Sequence, residues 1–599
     1  MKKRSVLSLL TLIMVMSLIT ALLTGCGSSS DTGSSASSAG TVSAVNTSSI
    51  QEDDMFTKRD LDPSYDESTA SKITFDNDSV SIDGDGASAE GSVVMITEEG
   101  TYILSGTSAD GQVVVSADDT SKVQLVLDDL TLTNDESACI LVENADKVFI
   151  TLAEGSTNSL SDTGAEYTQL LDDTNVDGVI FSKDTLTLNG TGTLNVNANY
   201  DNGIVSKDDL KITSGTYNIT STGKALEGKD SIRIKDGTIT ITSQDDALHS
   251  DNEEDGKGFI YIENGTLTIS SKDDGIHAQN AISIVGGTIN IEQSYEGIEA
   301  QQIDINGGTI HVVASDDGIN ASDGSGSGQE DFFGGMNGMS PDTTTSATQE
   351  STNYSSLASV EVIEGSDSDA MARGGMGGGM MDTDENAYLR ITGGDLTVNA
   401  NGDGLDSNGY LYIDGGNITV YGPTNSGNGA VDYGLGATIT GGTVMIAGSA
   451  GMAETFGGDS TQYSIMTTFD SVIRAGTEVT LTDSSGNVVL QFTPEKDYQN
   501  VILSSPSLAE GSYTLTAGSV SKEITVSSIT TTVGSGNTMG GMMNGGMQDS
   551  GSGSAFGGHQ MPQGGMTPPD QNGGMSSGNS GFNGNGSMTP PGQNAAAAY

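Results

Sequence analysis

A short phrase that recurs through the middle of the chain constrains its fold more than any other feature. Each copy contains an alternating apolar pair, a glycine turn, a second alternating pair, an acidic pair and a final Ile or Leu. From Gly237 to Gly308 the steps between turn glycines are 28, 22 and 21 residues. A repeat of this length indicates stacked structural units. The turn glycines are Gly215, Gly237, Gly265, Gly287, Gly308, Gly394, Gly416 and Gly442.

The alternation inside each copy predicts three short strands. Ile232 and Ile234 precede the turn, Ile239 and Ile241 follow it, and Leu248 follows the acidic pair. A period of two is typical of a strand with one buried face. Three strands in about 22 residues match one rung of a parallel β-helix. We therefore predict an all-β parallel β-helix, because a β-sandwich would not explain a register kept over so many copies.

The charge balance excludes some classes of function. The chain has 599 residues with 22 Lys and Arg against 80 Asp and Glu, which gives a formal net charge of −58. Nucleic-acid binding requires a basic surface, so we exclude it. Only two cysteines are present, and the first is assigned to lipidation below. No internal disulfide is expected, and Cys139 in the run SACILV is expected to be a small buried residue.

The N-terminus predicts export. Three basic residues at positions 2–4 precede an apolar run over residues 6–23, which is the pattern of a secretion signal. The run ends in Leu-Thr-Gly-Cys, which resembles a bacterial lipobox. We expect a signal peptide over residues 1–25 and a lipid on Cys26, although a plain signal peptide or an uncleaved anchor is the alternative. Residues 26–72 are predicted to be a flexible tether on the outer face of the cell membrane.

Composition shifts divide the rest of the chain. The β-helix is expected over residues 73–456, with imperfect first rungs because terminal repeats lack one neighbour. Residues 322–384 are rich in Gly, Ser and Met and are predicted to be a disordered insertion. The period is lost over residues 457–527, which predicts a small β-unit with hairpins. Residues 528–599 are predicted to be a disordered tail, whose methionines suggest copper binding only as a minor alternative.

Carboxylates come into register when the rungs are aligned. Neighbouring rungs are about 4.8 Å apart, and two carboxylates at that distance repel by about 1 kcal/mol in water and about 3–4 kcal/mol in a protein-like dielectric. Many oxygen ligands without cysteine favour Ca²⁺, so we predict calcium along one edge. The alternative is that these residues serve only as turn formers. The predicted ligands are Asp245, Asp246, Asp273, Asp274, Glu296, Glu299, Asp316, Asp317, Asp403 and Asp406.

Several motifs together resemble a known family. The lipobox, the run LSGTSADGQVVVSADD over residues 104–119, the repeated DGI-x-A and the I-x-G-G-T-I-x-I phrase resemble secreted clostridial carbohydrate-binding β-helix proteins. The resemblance spans roughly residues 75–525. It implies a right-handed parallel β-helix with calcium along one side, and binding to acidic plant polysaccharide such as polygalacturonate, or to cellulose. The Met- and Gly-rich insertion and tail depart from the family pattern.

The expected function is therefore binding of acidic polysaccharide through calcium by a monomeric, non-enzymatic surface lipoprotein. Trp is absent, but Tyr200, Tyr261 and Tyr295 are available to stack on sugars. A pectin-degrading enzyme is the competing hypothesis, because Arg233-Ile-Lys235 and the Asp-Asp pairs resemble hydrolase motifs. The Asp pairs recur on several rungs, however, which indicates a repeat feature rather than one acid–base pair. A structural or adhesive surface protein is the third alternative.

Overall fold

The computed structural model describes residues 55–171, 174–322 and 383–534, and every regular element in these ranges is a β-strand. The predicted signal peptide, Cys26, the start of the tether, nearly all of the insertion and most of the tail lie outside the described residues. Within the described ranges, no helix is long and apolar enough to cross a membrane. The all-β prediction is confirmed.

The strands fall into an N-terminal group, a regular central group and a group that follows the insertion. The N-terminal group is β1 Ser71–Asp76, β2 Ser79–Asp83, β3 Ala87–Glu90, β4 Val93–Ile96, β5 Gly100–Ser108, β6 Gln112–Ser116, β7 Lys122–Asn134, β8 Ile140–Asn144, β9 Lys147–Leu152 and β10 Thr157–Asp162. The central group is β11 Gly178–Ser182, β12 Leu186–Gly190, β13 Thr193–Ala198, β14 Asn202–Ser206, β15 Asp209–Ile212, β16 Thr216–Ser221, β17 Leu226–Gly228, β18 Ser231–Ile234, β19 Thr238–Thr242, β20 Leu248–Ser250, β21 Phe259–Ile262, β22 Thr266–Ser270, β23 Ile276–Ile284, β24 Thr288–Ser294, β25 Ile298–Ile305, β26 Thr309–Ala314 and β27 Ile319–Ala321. The third group is β28 Tyr388–Ile391, β29 Asp395–Ala400, β30 Leu405–Ser407, β31 Tyr410–Ile413, β32 Asn417–Tyr421, β33 Gly436–Ile439 and β34 Thr443–Gly448.

Strand pairing confirms the predicted parallel β-helix. From β8 to β20, each strand pairs in parallel with the strand three positions later in the chain. One rung therefore has a first strand before the glycine turn, a second strand after it, and a third strand after the acidic turn. The stack continues across the insertion, because β25, β26 and β27 pair in parallel with β28, β29 and β30.

The predicted apolar pairs form the core. Ile232, Ile260 and Ile282 stand in register on successive first strands, and each is at most 1% exposed. Burial of one such side chain contributes about 1.5–3 kcal/mol relative to exposure. The turn glycines are required by the corner: Gly287 has φ 93°, and a Cβ there would lie 2.9 Å from the carbonyl oxygen of Gly265. The stack therefore excludes larger residues at this corner.

The two ends of the stack depart from the repeat. At the N-terminal end, β1 pairs with β2 and β3 pairs with β4 in antiparallel fashion, as expected for a terminal unit that lacks one neighbour. The strands of the C-terminal end are β35 Ser464–Ile473, β36 Val479–Asp483, β37 Val488–Phe492, β38 Tyr498–Ser504, β39 Gly511–Ala517, β40 Val520–Val526 and β41 Thr530–Val533. Here β38 pairs antiparallel with β34 and β35 and closes the last rung. A separate antiparallel sheet has the order β37-β36-β39-β40.

The structure differs from the predicted tether over residues 55–66, which we call the strap. The strap packs on the outer face of the first strands instead of extending freely. Its Asp60 is fully buried and accepts hydrogen bonds from Lys147 Nζ and Thr187 Oγ1, both at 2.9 Å. Arg59 lies over the ring of Phe149 at 4.6 Å. These contacts join residues far apart in sequence, and a composition-based linker prediction does not contain that information.

Candidate functional site

The acidic turns between the second and third strands form one continuous edge of the β-helix, which we call the acidic edge. Backbone hydrogen bonds hold its turns in register: Gly275 N donates to Glu296 O at 3.0 Å, and Gly318 N donates to Asp403 O at 2.8 Å. Side chains along it form three rows. The outer row is Asp245, Asp273, Tyr295 and Asp316; the inner row is Asp246, Asp274, Glu296, Asp317 and Asp403; and the strand row is His249, His277, Glu299, Asn320 and Asp406.

Three carboxylates meet near the N-terminal part of the acidic edge. Ligand oxygens of Asp245, Asp246 and Asp273 lie within 4.8 Å of one another, and we call these residues the first triplet. The Asp245 side chain is 40% exposed, and Lys224 Nζ lies 3.6 Å from its Oδ2. The first triplet thus presents oxygen atoms to solvent, with Lys224 beside Asp245 and His249 beside Asp246.

A histidine separates the carboxylates in the middle of the edge. His277 Nδ1 lies 3.1 Å from Asp274 Oδ2 and 2.8 Å from Glu299 Oε2. Burial alone would lower the pKa of His277, but the hydrogen bonds to both carboxylates outweigh it and raise the pKa to about 10. The imidazolium therefore lies between the two carboxylates at neutral pH and offsets one of their two charges. His249 makes a similar contact with Asp246 Oδ2 at 2.6 Å.

Glu296 is surrounded by other carboxylates. Burial is the largest cause that raises the pKa of Glu296, and the charges of Glu299, Asp274 and Asp317 raise it further, to about 10. Asn320 Nδ2 donates to Glu296 Oε2 at 3.0 Å, while Asn320 Oδ1 is buried and has no hydrogen-bond partner among the described residues. A carboxyl with such a high pKa holds a proton at pH 7 unless a cation takes its place.

A second carboxylate group closes the C-terminal part of the edge. Ligand oxygens of Asp317, Asp403 and Asp406 lie within 4.8 Å of one another, and we call these residues the second triplet. Burial raises the pKa of Asp403, and the charges of Asp317, Asp406 and Asp432 raise it further, to about 10. A divalent cation that prefers oxygen ligands, such as Ca²⁺, suits this concentration of carboxylate oxygens.

The inner-row carboxylates also stabilise the turns. Asp246 Oδ1 accepts the backbone N–H of Asp274 at 3.0 Å, and Asp274 Oδ1 accepts that of Glu296 at 3.1 Å. Asp317 Oδ1 accepts the backbone N–H of Asp403 at 2.5 Å. The turn-forming role that the sequence suggested as an alternative therefore exists at these positions. It occupies one oxygen of each carboxylate, and the second oxygen of Asp246 and of Asp274 contacts His249 and His277 respectively.

The donor atoms fit calcium at the two triplets but not between them. Each triplet offers carboxylate oxygens, which Ca²⁺ prefers. Asn320, whose Cα pairs with that of Asp406 in the second triplet, adds a buried side-chain amide oxygen that has no hydrogen-bond partner among the described residues. Asp274 and Glu299 are brought together as predicted, but through an imidazole nitrogen, which is not a calcium ligand. Asp316 lies in the outer row beside Tyr295 rather than in a triplet.

Sequence reasoning missed an extension of the edge. Leu405 bridges Val431 in parallel, so Asp432 follows Asp406 in the strand row. Burial and Asp432 raise the pKa of Glu454 to about 7. The extension was missed because Asn428 and Gly429 stand where other rungs carry the acidic pair. The available signal was Val431, an apolar residue that aligns with Leu405 of the preceding rung and is followed by an aspartate.

Parts of this chain are similar in sequence to known proteins. Residues 90–329 match the model of a family described as carbohydrate-binding domain-containing protein. A carbohydrate-binding domain-containing protein of Acetivibrio thermocellus is 45% identical over 152 residues, which cover 25% of this chain and 52% of that protein. The matches support a carbohydrate-binding family. The chain spans about half the length of this curated relative.

A solved structure is also similar to part of this chain. It is described as the polysaccharide lyase-like protein from C. thermocellum in a gadolinium derivative. The likeness has 35% sequence identity and a TM-score of 0.36, and it covers 43% of this chain and 98% of the other.

The residues that suggested an enzyme are engaged in structural contacts. Arg233 is 15% exposed; its Nη2 donates to Asp209 Oδ1 at 2.9 Å and its Nη1 donates to Met55 O of the strap at 3.2 Å. Lys235 Nζ pairs with Glu263 Oε1 at 2.5 Å. A general base must come within hydrogen-bond reach of the proton that it removes. These contacts instead give Arg233 and Lys235 a role in fixing the strap and the first strands.

Proposed function

We propose that this protein binds acidic polysaccharide, of the pectin or polygalacturonate type, through Ca²⁺ held on the acidic edge. One observation carries the proposal: two carboxylate triplets lie on the same edge of a β-helix whose residues 90–329 match a carbohydrate-binding family. Asp245, Asp246 and Asp273 would hold one ion, and the second triplet another. A protein of net charge −58 repels a polyuronate, and a divalent cation between the two sets of carboxylates reverses that repulsion locally.

The residues of this chain have two tasks in the proposed binding. The backbone ladder of the turns holds the carboxylates about one rung apart, so the cation sites are formed before the ligand arrives. Asp245 and Asp273 face solvent, which leaves room for sugar oxygens in the coordination shell. No proton transfer or bond cleavage is required, and we propose that the protein is not an enzyme.

Titration calorimetry of the purified full-length chain with polygalacturonate tests the proposal. We expect saturable heat in Ca²⁺ and none in EDTA, and much weaker binding to fully methyl-esterified polygalacturonate, which lacks the carboxylates. Binding that survives the chelator would remove the calcium bridge, and release of unsaturated or reducing products would indicate an enzyme. No binding in either buffer would favour a structural role at the cell surface.

We also propose that the protein acts as a monomer anchored to the outer face of the bacterial cell membrane through a lipid on Cys26. The lipobox-like sequence supports this. Metabolic labelling with a radioactive fatty acid should mark the wild-type chain and not C26A, and C26A should appear in the culture medium or remain as the uncleaved precursor. Equal labelling of C26A would contradict the anchor without affecting the proposed ligand.

A further inference from the structure

The structure separates the three tyrosines that the sequence offered for sugar stacking. Tyr261 is 3% exposed and lies against Phe56 of the strap, with ring centroids 6.3 Å apart. The ring of Tyr200 stacks on Tyr167 at 4.5 Å. Tyr295 is 46% exposed and is the one aromatic among the exposed large hydrophobic side chains of the described ranges. Only Tyr295 therefore presents a broad ring surface to a ligand.

Tyr295 occupies a fixed position in the outer row, where neighbouring rungs carry aspartates. Its backbone N–H donates to Asp273 O at 2.8 Å, and its carbonyl accepts the N–H of Asp316 at 3.0 Å. The Asp316 carboxylate also contacts its hydroxyl and raises the pKa of Tyr295. The ring stands in a row where the neighbouring rungs carry aspartates, and 46% of the residue is exposed, which leaves its apolar face open to a ligand. A ligand surface accounts for an apolar ring at this position.

The spacing of the acidic edge places Tyr295 midway between the two triplets. The first triplet joins the rungs of Asp246 and Asp274, and the second joins the rungs of Asp317 and Asp403. The rung of Tyr295 lies between these two pairs. At about 4.8 Å per rung, the triplet centres are roughly 14 Å apart and Tyr295 is roughly 7 Å from each. A linear polymer that binds cations at both triplets crosses the rung of Tyr295, where this ring is exposed.

We propose that Tyr295 stacks on a sugar ring of an acidic polysaccharide that runs along the acidic edge, across the rungs, from the first triplet to the second. The C–H face of a pyranose is apolar and suited to an aromatic ring, while its carboxylates on either side reach the cations. This inference rests on the proposed function and deepens it, because it names the binding surface, the direction of the polymer and a minimum ligand length of several sugar rings.

Three variants of the full-length chain test the inference by calorimetry with a galacturonic acid oligosaccharide series in Ca²⁺. We expect Y295A to bind long oligosaccharides about tenfold more weakly, in the range of a central interface residue. Y295F keeps the ring and should bind within about twofold of wild type. The control Y412A changes a half-buried tyrosine on a first strand, away from the acidic edge, and should bind like wild type. Calcium titration without sugar should be unchanged in Y295A, which shows that the turns remain folded.

The outcomes distinguish this inference from the proposed function. If wild type binds in Ca²⁺ and Y295A binds equally well, the stacking role is overturned while the polysaccharide function stands. Loss of binding in Y412A as large as in Y295A would overturn it as well, because the effect would not belong to the edge. If wild type itself fails to bind in Ca²⁺, the proposed function and this inference fail together. Short oligosaccharides that bind as tightly as long ones would contradict the direction of the polymer.

Discussion

The two halves of the acidic edge share one backbone but balance their charges differently. In the half that contains Asp246 and Asp274, the protein supplies cations: His249 contacts Asp246 at 2.6 Å and Lys224 lies 3.6 Å from Asp245. In the half that begins with Glu296, buried carboxyl groups face other carboxylates. The pKa values of Glu296 and Asp403 are accordingly raised to about 10.

This difference shows which property of the repeat is fixed and which is free to vary. The turn hydrogen bonds are the same in both halves, since Asp246 and Asp317 each accept the N–H of the next rung. The first half offsets its carboxylate charges with cations of the protein, whereas the second half needs a proton or an external ion. A repeat protein can thus keep its fold while single residues decide where it depends on metal.

The largest expected effect is loss of the internal cation at His277. H277Q would leave the buried Asp274 and Glu299 carboxylates facing each other, and we expect the free energy of unfolding to fall by about 3–5 kcal/mol at pH 7 in EDTA. Urea unfolding measures it. The same substitution at the exposed His311 is the control and should change stability by less than about 0.5 kcal/mol. If H277Q and H311Q lowered the free energy of unfolding equally, His277 would not be the internal cation that offsets the carboxylates of the edge.

Calcium should stabilise the second half more than the first. At a hundredfold excess over its dissociation constant, one bound ion adds about 2.7 kcal/mol to the free energy of unfolding. We expect D317N/D403N to lose most of the rise in melting temperature that Ca²⁺ produces, and D245N/D273N to lose less. Calorimetric melting in Ca²⁺ and in EDTA compares the variants. The reverse order would mean that the first triplet is the main metal site.

The pH dependence of stability should reveal the protonated carboxyls. The pKa of Glu296 is near 4.5 when unfolded and about 10 when folded, so the folded state binds the extra proton between these values. Stability without metal therefore falls as pH rises through this window, by about 1.4 kcal/mol per pH unit for the Glu296 proton, and the Asp403 proton adds a slope of the same sign. Urea unfolding at pH 6, 7 and 8 in EDTA measures the slope, which E296Q/D403N should flatten. A flat wild-type profile would contradict the shifted pKa values.

The fold was predictable because its information is local. Alternating pairs such as Ile239 and Ile241 fix the buried face of a strand, and the glycine turns fix the length of a rung. Strap packing was not predictable. Asp60 bonds to Lys147 and Thr187, which are 87 and 127 residues away, and nothing in the composition of the strap distinguishes it from a linker.

The candidate site was predictable only in part. Register places Asp246 beside Asp274 once a parallel stack is assumed, so the columns follow from the sequence. Which carboxylates meet a cation depends on side-chain direction. His277 turns between Asp274 and Glu299 and converts one part of the predicted calcium column into an ion-paired cluster. Sequence spacing carries no information about that choice of direction.

The smallest expected effect concerns Lys224, which stands where the next rung has Asp246. The ion pair with Asp245 is partly exposed, so K224A should lower the free energy of unfolding by less than about 1 kcal/mol in EDTA. The same change removes a positive charge that competes with a cation at the first triplet, and Ca²⁺ should then bind up to about fivefold more tightly. Calcium titration of the triple variant K224A/D317N/D403N against D317N/D403N isolates the first triplet, because the second triplet is removed in both proteins. Weaker or unchanged calcium binding there would mean that the first half of the edge depends on Lys224 and the histidines alone, and that metal binding is confined to the second half.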